Sequence, residues 1–167
     1  MVELRPVTLE MLPELCALHV LSWQVAYRGM VPDDYLAGLS VEQRLSRWQE
    51  RFEQGSNAEY AIVADGRIVG LCISGASRDE GGEVGEIHAF YLHPDEWGKG
   101  YAYPAMQLAL DILRAQGYLV AELWVLEENA RARRFYQKAG FAHDGTRKEL
   151  TIGGAAVWEL RYRRQLI

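Results

Sequence analysis

The sequence predicts an α/β protein in which helices flank a single mixed sheet. Apolar residues at strand and helix spacing give the element order β-α-α-β-β-β-α-β-α-β-β along the chain. The 167 residues are 49% hydrophobic and 25% charged, which is the size and composition of one globular domain with its own core. Near the centre, residues 86–113 predict a strand, a glycine loop and a helix in direct succession. We therefore expect one α/β domain that covers residues 1–167.

The N-terminal part predicts one strand followed by two helices. Residues 2–7 favour a short strand, and Thr8 is placed to cap a helix that stops near Gly29. Residues 40–43, Ser-Val-Glu-Gln, have the sequence of a capping box, which predicts the start of a second helix. Apolar residues then recur at helical spacing until Gly55, where we expect that helix to end.

The middle of the chain predicts three successive strands. Residues 60–64 and 68–74 are rich in β-branched and apolar residues, and Asp65-Gly66 between them is a strong signal for a two-residue hairpin turn. A hydrophilic loop at residues 78–82 then leads to a third strand at residues 86–92.

The remaining elements alternate helix and strand before a final hairpin. A helix is expected from Ala102, where apolar residues take up helical spacing. Asn129 is placed to cap a further helix that ends at Gly140. Three more strands are expected, at residues 118–126, 141–150 and 155–163, the last two joined around Gly153-Gly154.

Charge and composition exclude several classes of protein. The 18 Lys and Arg residues against 23 Asp and Glu give a net charge of −5, so the chain lacks the basic footprint of a nucleic-acid-binding protein. No apolar run approaches the roughly 18 residues of a membrane span, and the first residues lack a basic-then-apolar leader. Cys16 and Cys72 show no metal-ligand spacing. We expect a cytoplasmic protein that binds no nucleic acid, membrane or metal.

Residues 97–102, Trp-Gly-Lys-Gly-Tyr-Ala, predict a binding site for a phosphate group. Gly98 and Gly100 let backbone amides approach a ligand where a Cβ would intrude, and the helix that follows adds the positive end of its dipole. A nucleotide P-loop would need four residues between its glycines and then Lys-Ser/Thr, which is absent. The dinucleotide fingerprint with its three glycines is also a poor match. The alternative interpretation is a plain strand–turn–helix corner.

Two motifs in this sequence resemble those of a known family. Residues 97–102 resemble the Q/R-x-x-G-x-G/A signature of the GNAT (GCN5-related N-acetyltransferase) superfamily, with Trp97 in place of the usual Gln or Arg. Residues 129–141, NARARRFYQKAGF, resemble the family pattern N-x-x-A-x-x-F-Y-x-x-x-G-F. The motifs stand in the family order with one strand between them, and the predicted elements follow the family order from residue 2 to residue 163. The chain is therefore identified as a member of this superfamily.

The resemblance implies a mostly antiparallel sheet whose two central parallel strands, residues 86–92 and 118–126, splay apart around acetyl-CoA. The activity it implies uses this cofactor and no metal. Main-chain groups of residues 90–92 would pair with the pantetheine arm. Asn129 occupies a position that often binds pantetheine, whereas the arginines at 131, 133 and 134 either meet the 3′-phosphate of coenzyme A or form a solvated face. The implied cofactor-binding residues are Phe90, Tyr91, Leu92, Trp97, Gly98, Lys99, Gly100, Tyr101, Ala102, Asn129 and Arg133.

Acetyl transfer to an amine needs a neutral amine, donors for the developing oxyanion and a proton for the departing thiolate. Tyr136 matches the tyrosine of the family's Phe-Tyr pair and is the candidate general acid, because a phenol is neutral at pH 7. Glu86 stands eleven residues before Trp97, as in members that use a strand glutamate, and is the candidate general base. Desolvation would raise the pKa of its carboxyl group. The alternatives are ordered water and His88, which shares a strand face with Glu86 if the alternation is regular.

The acceptor site is expected near the first helix. Trp23, Tyr27 and Arg28 occupy the segment where family members place substrate-contacting helices, and His88 is a further candidate contact. Arg28 would hold an acceptor carboxylate or phosphate. The resemblance implies an N-acetyltransferase that acts on a primary amine of a small molecule. Two alternatives stay open: a protein N-terminal or lysine acetyltransferase, and a catalytically silent acyl-CoA-binding module. The long C-terminal strands offer a sheet edge that a homodimer would cover.

Overall fold

The computed structural model of the protein describes residues 1–55 and 58–167. Seven strands of this described part form one sheet in the order β1-β2-β3-β4-β5-β7-β6. The strands are β1 (Val2–Pro6), β2 (Ala58–Ala64), β3 (Arg67–Ala76), β4 (Val84–Leu92), β5 (Val120–Leu126), β6 (Ala142–Ile152) and β7 (Ala155–Gln165). The helices are α1 (Leu12–Ala26), α2 (Asp33–Ala37), α3 (Val41–Glu53), α4 (Ala102–Ala115) and α5 (Ala130–Lys138).

The centre of the sheet carries the feature that creates the site. β4 and β5 run parallel and pair only from Val84–Glu86 to Val120–Glu122, whereas every other strand pair in the described residues is antiparallel. Beyond these three pairs the two strands separate, so their backbone N–H and C=O groups no longer form hydrogen bonds with each other. The predicted fold class, a mixed and mostly antiparallel sheet with splayed central parallel strands between helices, is confirmed.

Helices cover both faces of the sheet and bury a separate apolar cluster on each. On one face, Leu15 of α1 and Trp48 of α3 pack with Leu71 of β3. On the other, Met106 of α4 packs in a cluster that includes Cys72, the next residue of β3. None of the helices in the described ranges is long and apolar enough to cross a membrane.

Several local predictions agree with the structure. Asp65 and Gly66 have φ values of 52° and 78°, as a two-residue hairpin turn requires. The Ser40 hydroxyl accepts a hydrogen bond from the Gln43 amide at 3.2 Å and caps α3. Asn129 caps α5 in the same way, through the Ala132 amide at 3.2 Å.

Two local predictions differ from the structure. Thr8 makes no side-chain cap, because a 3₁₀ turn at Leu9–Met11 intervenes and α1 begins only at Leu12. Three helices rather than two lie between β1 and β2, since residues Asp33–Ala37 form the short α2. A helix of five residues is too short to show a helical repeat in the sequence.

Candidate active site

A cavity of about 520 Å³ opens where β4 and β5 separate. Residues 87–92 of β4 and 123–126 of β5 form its two walls. α1 and the segment after it contribute at one end, and the residues around the start of α5 contribute at the other. Because the strands that form the walls have no hydrogen-bonding partner across the gap, the cavity offers free main-chain groups to a ligand.

A β-bulge at His88 shapes the wall of β4. Ile87 and Ala89 pair with consecutive residues of β3, so His88 between them has no partner residue. The extra residue reverses the alternation along the strand: Ile87 and Phe90 belong to the cluster on the α4 face although they are three residues apart. The alternation breaks only after His88, so His88 shares a face with Glu86, whose Oε1 lies 3.8 Å from its Nε2. The bulge presents His88 to the cavity.

The loop before α4 has the geometry of an anion site. Gly98 and Gly100 have φ values of 78° and 84°, which residues with a Cβ rarely adopt. In the described residues, no amide from 98 to 101 donates to a backbone carbonyl. α4 begins at Ala102 without a side-chain cap, so its first amides also point outward. Lys99 already has an anionic partner, because its ammonium lies 3.1 Å from Glu96.

Trp97 and Arg131 form a stack at the rim of the cavity. The guanidinium carbon of Arg131 lies 3.7 Å from the centroid of the Trp97 ring, and both side chains line the cavity. The Trp97 indole donates to the carbonyl of Leu92 at 3.1 Å, which fixes the ring. Asn129 also lines the cavity. Its side-chain oxygen caps α5, and its amide nitrogen stays available to a ligand.

Arg133 differs from its predicted place at the cofactor. Its guanidinium donates to the Tyr162 hydroxyl at 2.9 Å and to the Glu127 carbonyl at 3.0 Å, and it does not line the cavity. Arg133 therefore ties α5 to β7. Arg131 is the arginine of this cluster that reaches the cavity, one helical turn before Phe135, which lines the cavity as well.

Tyr136 projects from α5 into the cavity between the rings of Phe135 and Phe141, whose centroids lie 5.5 and 6.2 Å away. Burial raises the pKa of its phenol well above the usual value, and the neighbouring Tyr91 and Cys72 add to this effect. A neutral phenol at pH 7 is a proton donor. No described residue forms a hydrogen bond with the Tyr136 hydroxyl, which is not fully buried, so it is open to the cavity that Tyr136 lines.

Glu86 lies at the closed end of the splay, not in the cavity. Its side chain is fully buried and accepts from the Arg78 amide at 3.0 Å and from two Arg78 guanidinium nitrogens at 3.1 and 2.6 Å. Glu122 lies opposite in register, equally buried, and accepts from Arg163 and Ser77. Because Arg78 occupies its carboxylate, Glu86 holds the β3–β4 loop at this end of the splay.

Aromatic hydroxyls define the end of the cavity near α1. The Tyr27 hydroxyl, which lines the cavity, lies 3.2 Å from the Tyr91 hydroxyl, and the Trp23 indole donates to Tyr91 at 3.1 Å. Burial raises the pKa of both phenols. Trp23 thus supports Tyr91 from behind and does not line the cavity. Arg28 is exposed, and within the described residues it makes no ion pair.

Residues 19–141 match the acetyltransferase (GNAT) family. The chain belongs to this family. An uncharacterised N-acetyltransferase of Mycobacterium bovis is 34% identical over 138 residues, 80% of this chain and 85% of its own. The uncharacterised N-acetyltransferase YuaI of Bacillus subtilis is 28% identical over 130 residues, 77% of this chain and 74% of its own. The expectation of an N-acetyltransferase is confirmed.

Among solved structures, the PaiA N-acetyltransferase of Thermoplasma acidophilum, determined in complex with coenzyme A, superposes with a TM-score of 0.76. The two chains are 20% identical, and the match covers 99% of each. At this level of sequence identity, the superposition shows that the two proteins share a fold.

Several residues that line the GNAT cavity were absent from the sequence-based site, among them Met30 and Trp124. Met30 lies after α1, and Trp124 lies on β5, where its indole donates to Asp79 at 2.9 Å. Neither belongs to a motif. Trp124 follows from the splay alone, because any residue of β5 beyond the last paired position faces the gap or its rim.

Proposed function

We propose that this GNAT protein, with residues 1–167 acting as one domain, transfers the acetyl group of acetyl-CoA to a primary amine of a small molecule. The amine attacks the thioester directly. The observation that carries the proposal is the Tyr136 hydroxyl, which is neutral, unpartnered and open to a cavity that joins the glycine loop side to the α1 side. A proton donor at that place is what a departing thiolate needs.

The residues present fit coenzyme A. The free amides of residues 98–101 and the start of α4 suit a pyrophosphate, since helix N-termini and glycine loops bind phosphates. The unpaired edges of β4 and β5 suit the amides of pantetheine, and Asn129 has an amide nitrogen to spare. Acetyl-CoA, when bound, supplies the activated acetyl thioester. Tyr136 donates a proton from its hydroxyl, and the stacked rings of Phe90 and Phe135 make the neighbouring wall apolar.

A small acceptor is favoured by the contact between α2 and the β6–β7 turn near the α1 end of the cavity. Tyr35 of α2 packs directly on the β6–β7 turn, where a Cβ on Gly153 would come within 2.6 Å of the Tyr35 Cβ. Val31, Leu36 and Leu126 form a buried cluster beneath this contact. The contact between α2 and the β6–β7 hairpin lies next to Leu126, a wall residue of the cavity, and it restricts the open groove that a protein acetyltransferase needs for a peptide.

The test is thiol release from acetyl-CoA with a panel of amino acids, polyamines, aminoglycosides and short peptides. We expect turnover with one class of small amine, and a fall of at least about tenfold in Tyr136→Phe with the Kd for coenzyme A unchanged. Tyr60→Phe, in the core of β2, is the matched control and should retain wild-type turnover. Turnover with peptides alone would favour the protein acetyltransferase instead. Tight coenzyme A binding without turnover by any amine would favour the silent module.

A homodimer remains a prediction of the sequence. β6 lies at one edge of the sheet with eleven residues, and its outer edge has no partner strand in the described chain. Light scattering at micromolar concentration would distinguish a dimeric from a monomeric mass.

A further inference from the structure

His88 is the imidazole among the described residues that line the cavity, and the sequence left it open as an alternative to Glu86. We infer that His88 is the general base that takes a proton from the attacking amine. The inference rests on the proposed acetyl transfer and assigns to His88 the role that the sequence favoured for Glu86.

The bulge in β4 fixes the position of the ring. His88 is the extra residue of the bulge, and it borders the cavity. Its Cε1 atom lies 3.6 Å from the place where a Cβ on Gly75 would be, so one side of the ring rests against β3. Bulges beside active sites commonly re-aim a side chain in this way.

The hydrogen bond of the ring identifies the protonated nitrogen. Nε2 lies 3.0 Å from the carbonyl oxygen of Ala76. A carbonyl only accepts hydrogen bonds, so Nε2 carries the hydrogen and the lone pair of the neutral ring lies on Nδ1. No described residue bonds to Nδ1. Nδ1 is not fully buried, so it is accessible to a ligand.

The charges near His88 suit a base that becomes a cation. Glu86 Oε1 lies 3.8 Å from Nε2 and would stabilise an imidazolium, which would keep its Nε2 hydrogen bond to Ala76. Arg78 of the β3–β4 loop is bonded to the same carboxylate and moderates this attraction. On β5, Glu122 has its own partner in Arg163. Glu86 is therefore a positioning residue behind His88.

One proton is taken up by His88 and one is released by Tyr136, so the two proton transfers balance. Nδ1 of His88 takes a proton from the amine nitrogen, whose electron pair forms the new C–N bond as the C–S bond breaks. Tyr136 gives its proton to the departing sulfur. Solvent then removes the proton from His88 and returns one to Tyr136, so the residues regain their starting states and no other co-reactant is needed.

The first test compares pH profiles of kcat/KM. His88→Gln keeps an N–H that can donate to Ala76 but has no basic nitrogen, so we expect kcat/KM to fall about 100-fold and the acidic limb of the profile to disappear. The Kd for coenzyme A should stay within about threefold of the wild-type value, since the ring is not expected to hold the cofactor. Glu86→Gln should retain the acidic limb. His143→Gln, on β6, is the control and should follow the wild type.

The second test needs no turnover. Nitrogen-15 NMR of the imidazole rings reports which nitrogen of His88 is protonated at neutral pH, and we expect hydrogen on Nε2 and a free Nδ1. A hydrogen on Nδ1 would overturn the inference, as would a His88→Gln enzyme with wild-type kcat/KM and an intact acidic limb. If the wild type turned over no amine, the proposed function would fail, and the tautomer would still decide whether His88 presents a basic nitrogen to the cavity.

Discussion

Arg131 stacks on Trp97 at 3.7 Å and thereby joins the loop before α4 to the first turn of α5. These two segments follow the two strands that splay apart, so the stack bridges the mouth of the cavity. Among the described residues Arg131 has no anionic partner, and burial lowers the pKa of its guanidinium. A cation that is partly withdrawn from water without a counter-ion is suited to bind an anion.

Arg131→Ala should therefore weaken coenzyme A binding. Loss of one charge contact costs about 1 kcal/mol, so we expect the Kd to rise about fivefold in isothermal titration calorimetry. Arg133→Ala is the matched control on the same helix. Its donors bind Tyr162 and the Glu127 carbonyl, so it should lower the thermal unfolding midpoint and leave the Kd unchanged. A larger loss of affinity in Arg133→Ala than in Arg131→Ala would contradict this division of roles.

His19 should make the protein sensitive to mild acid. Burial and, to a smaller extent, the charges of Arg44 and Arg51 together lower the pKa of its imidazole from 6.5 to about 4. Between pH 6.5 and pH 4 the imidazole is protonated in the unfolded chain but neutral in the folded chain. The contribution of His19 to stability is therefore fully present above pH 6.5 and is lost as the pH falls toward 4. The free energy of unfolding should decrease by up to about 1.4 kcal/mol per pH unit in that window.

Urea denaturation between pH 7 and pH 4.5 measures this slope. His19→Gln should flatten it, because glutamine does not titrate. His143→Gln lies at the far edge of the sheet and should keep the wild-type slope. A His19→Gln protein with an unchanged slope would show that other groups cause the acid sensitivity.

Gly70 should tolerate no side chain, because β3 and β4 approach closely beside the cavity. A Cβ at this position would overlap the carbonyl oxygen of Tyr91 and come within 2.8 Å of Leu92 Cδ2. We expect Gly70→Ala to lower the free energy of unfolding by about 1–3 kcal/mol, as overpacked cores do. Gly75→Ala on the same strand meets only an ordinary contact at 3.6 Å and should change it by less than about 0.5 kcal/mol. Equal losses in the two variants would rule out the close approach as the cause.

The elements that the sequence predicted correctly depend on neighbours along the chain. Asn129 caps α5 through an amide three residues later, and Asp65-Gly66 forms its turn with its own backbone. Such signals are complete within a few residues, so they can be read without knowing the fold. The glycine loop at 97–102 is of the same kind.

The predictions that departed from the structure depend on contacts across the sheet. Glu86 is bonded to Arg78 of the β3–β4 loop, and the register of β3 against β4 brings the two together. The bulge at His88 likewise exists only in the pairing of these strands. Arg131 and Arg133 are the same type of residue on the same helix, and the packing of α5 against β7 decides which of them reaches the cavity. Periodicity carries none of this information.

The buried carboxylates at the closed end of the splay restrict the order in which this sequence can change over evolution. Glu86 is fully buried, whereas Arg78 is 64% exposed. Loss of Arg78 first would strand a buried charge at a cost of about 3–5 kcal/mol, a large part of a domain's stability. Loss of Glu86 first would release an arginine that can turn to water. A lineage that replaces this pair by apolar residues must therefore lose the carboxylate before the arginine.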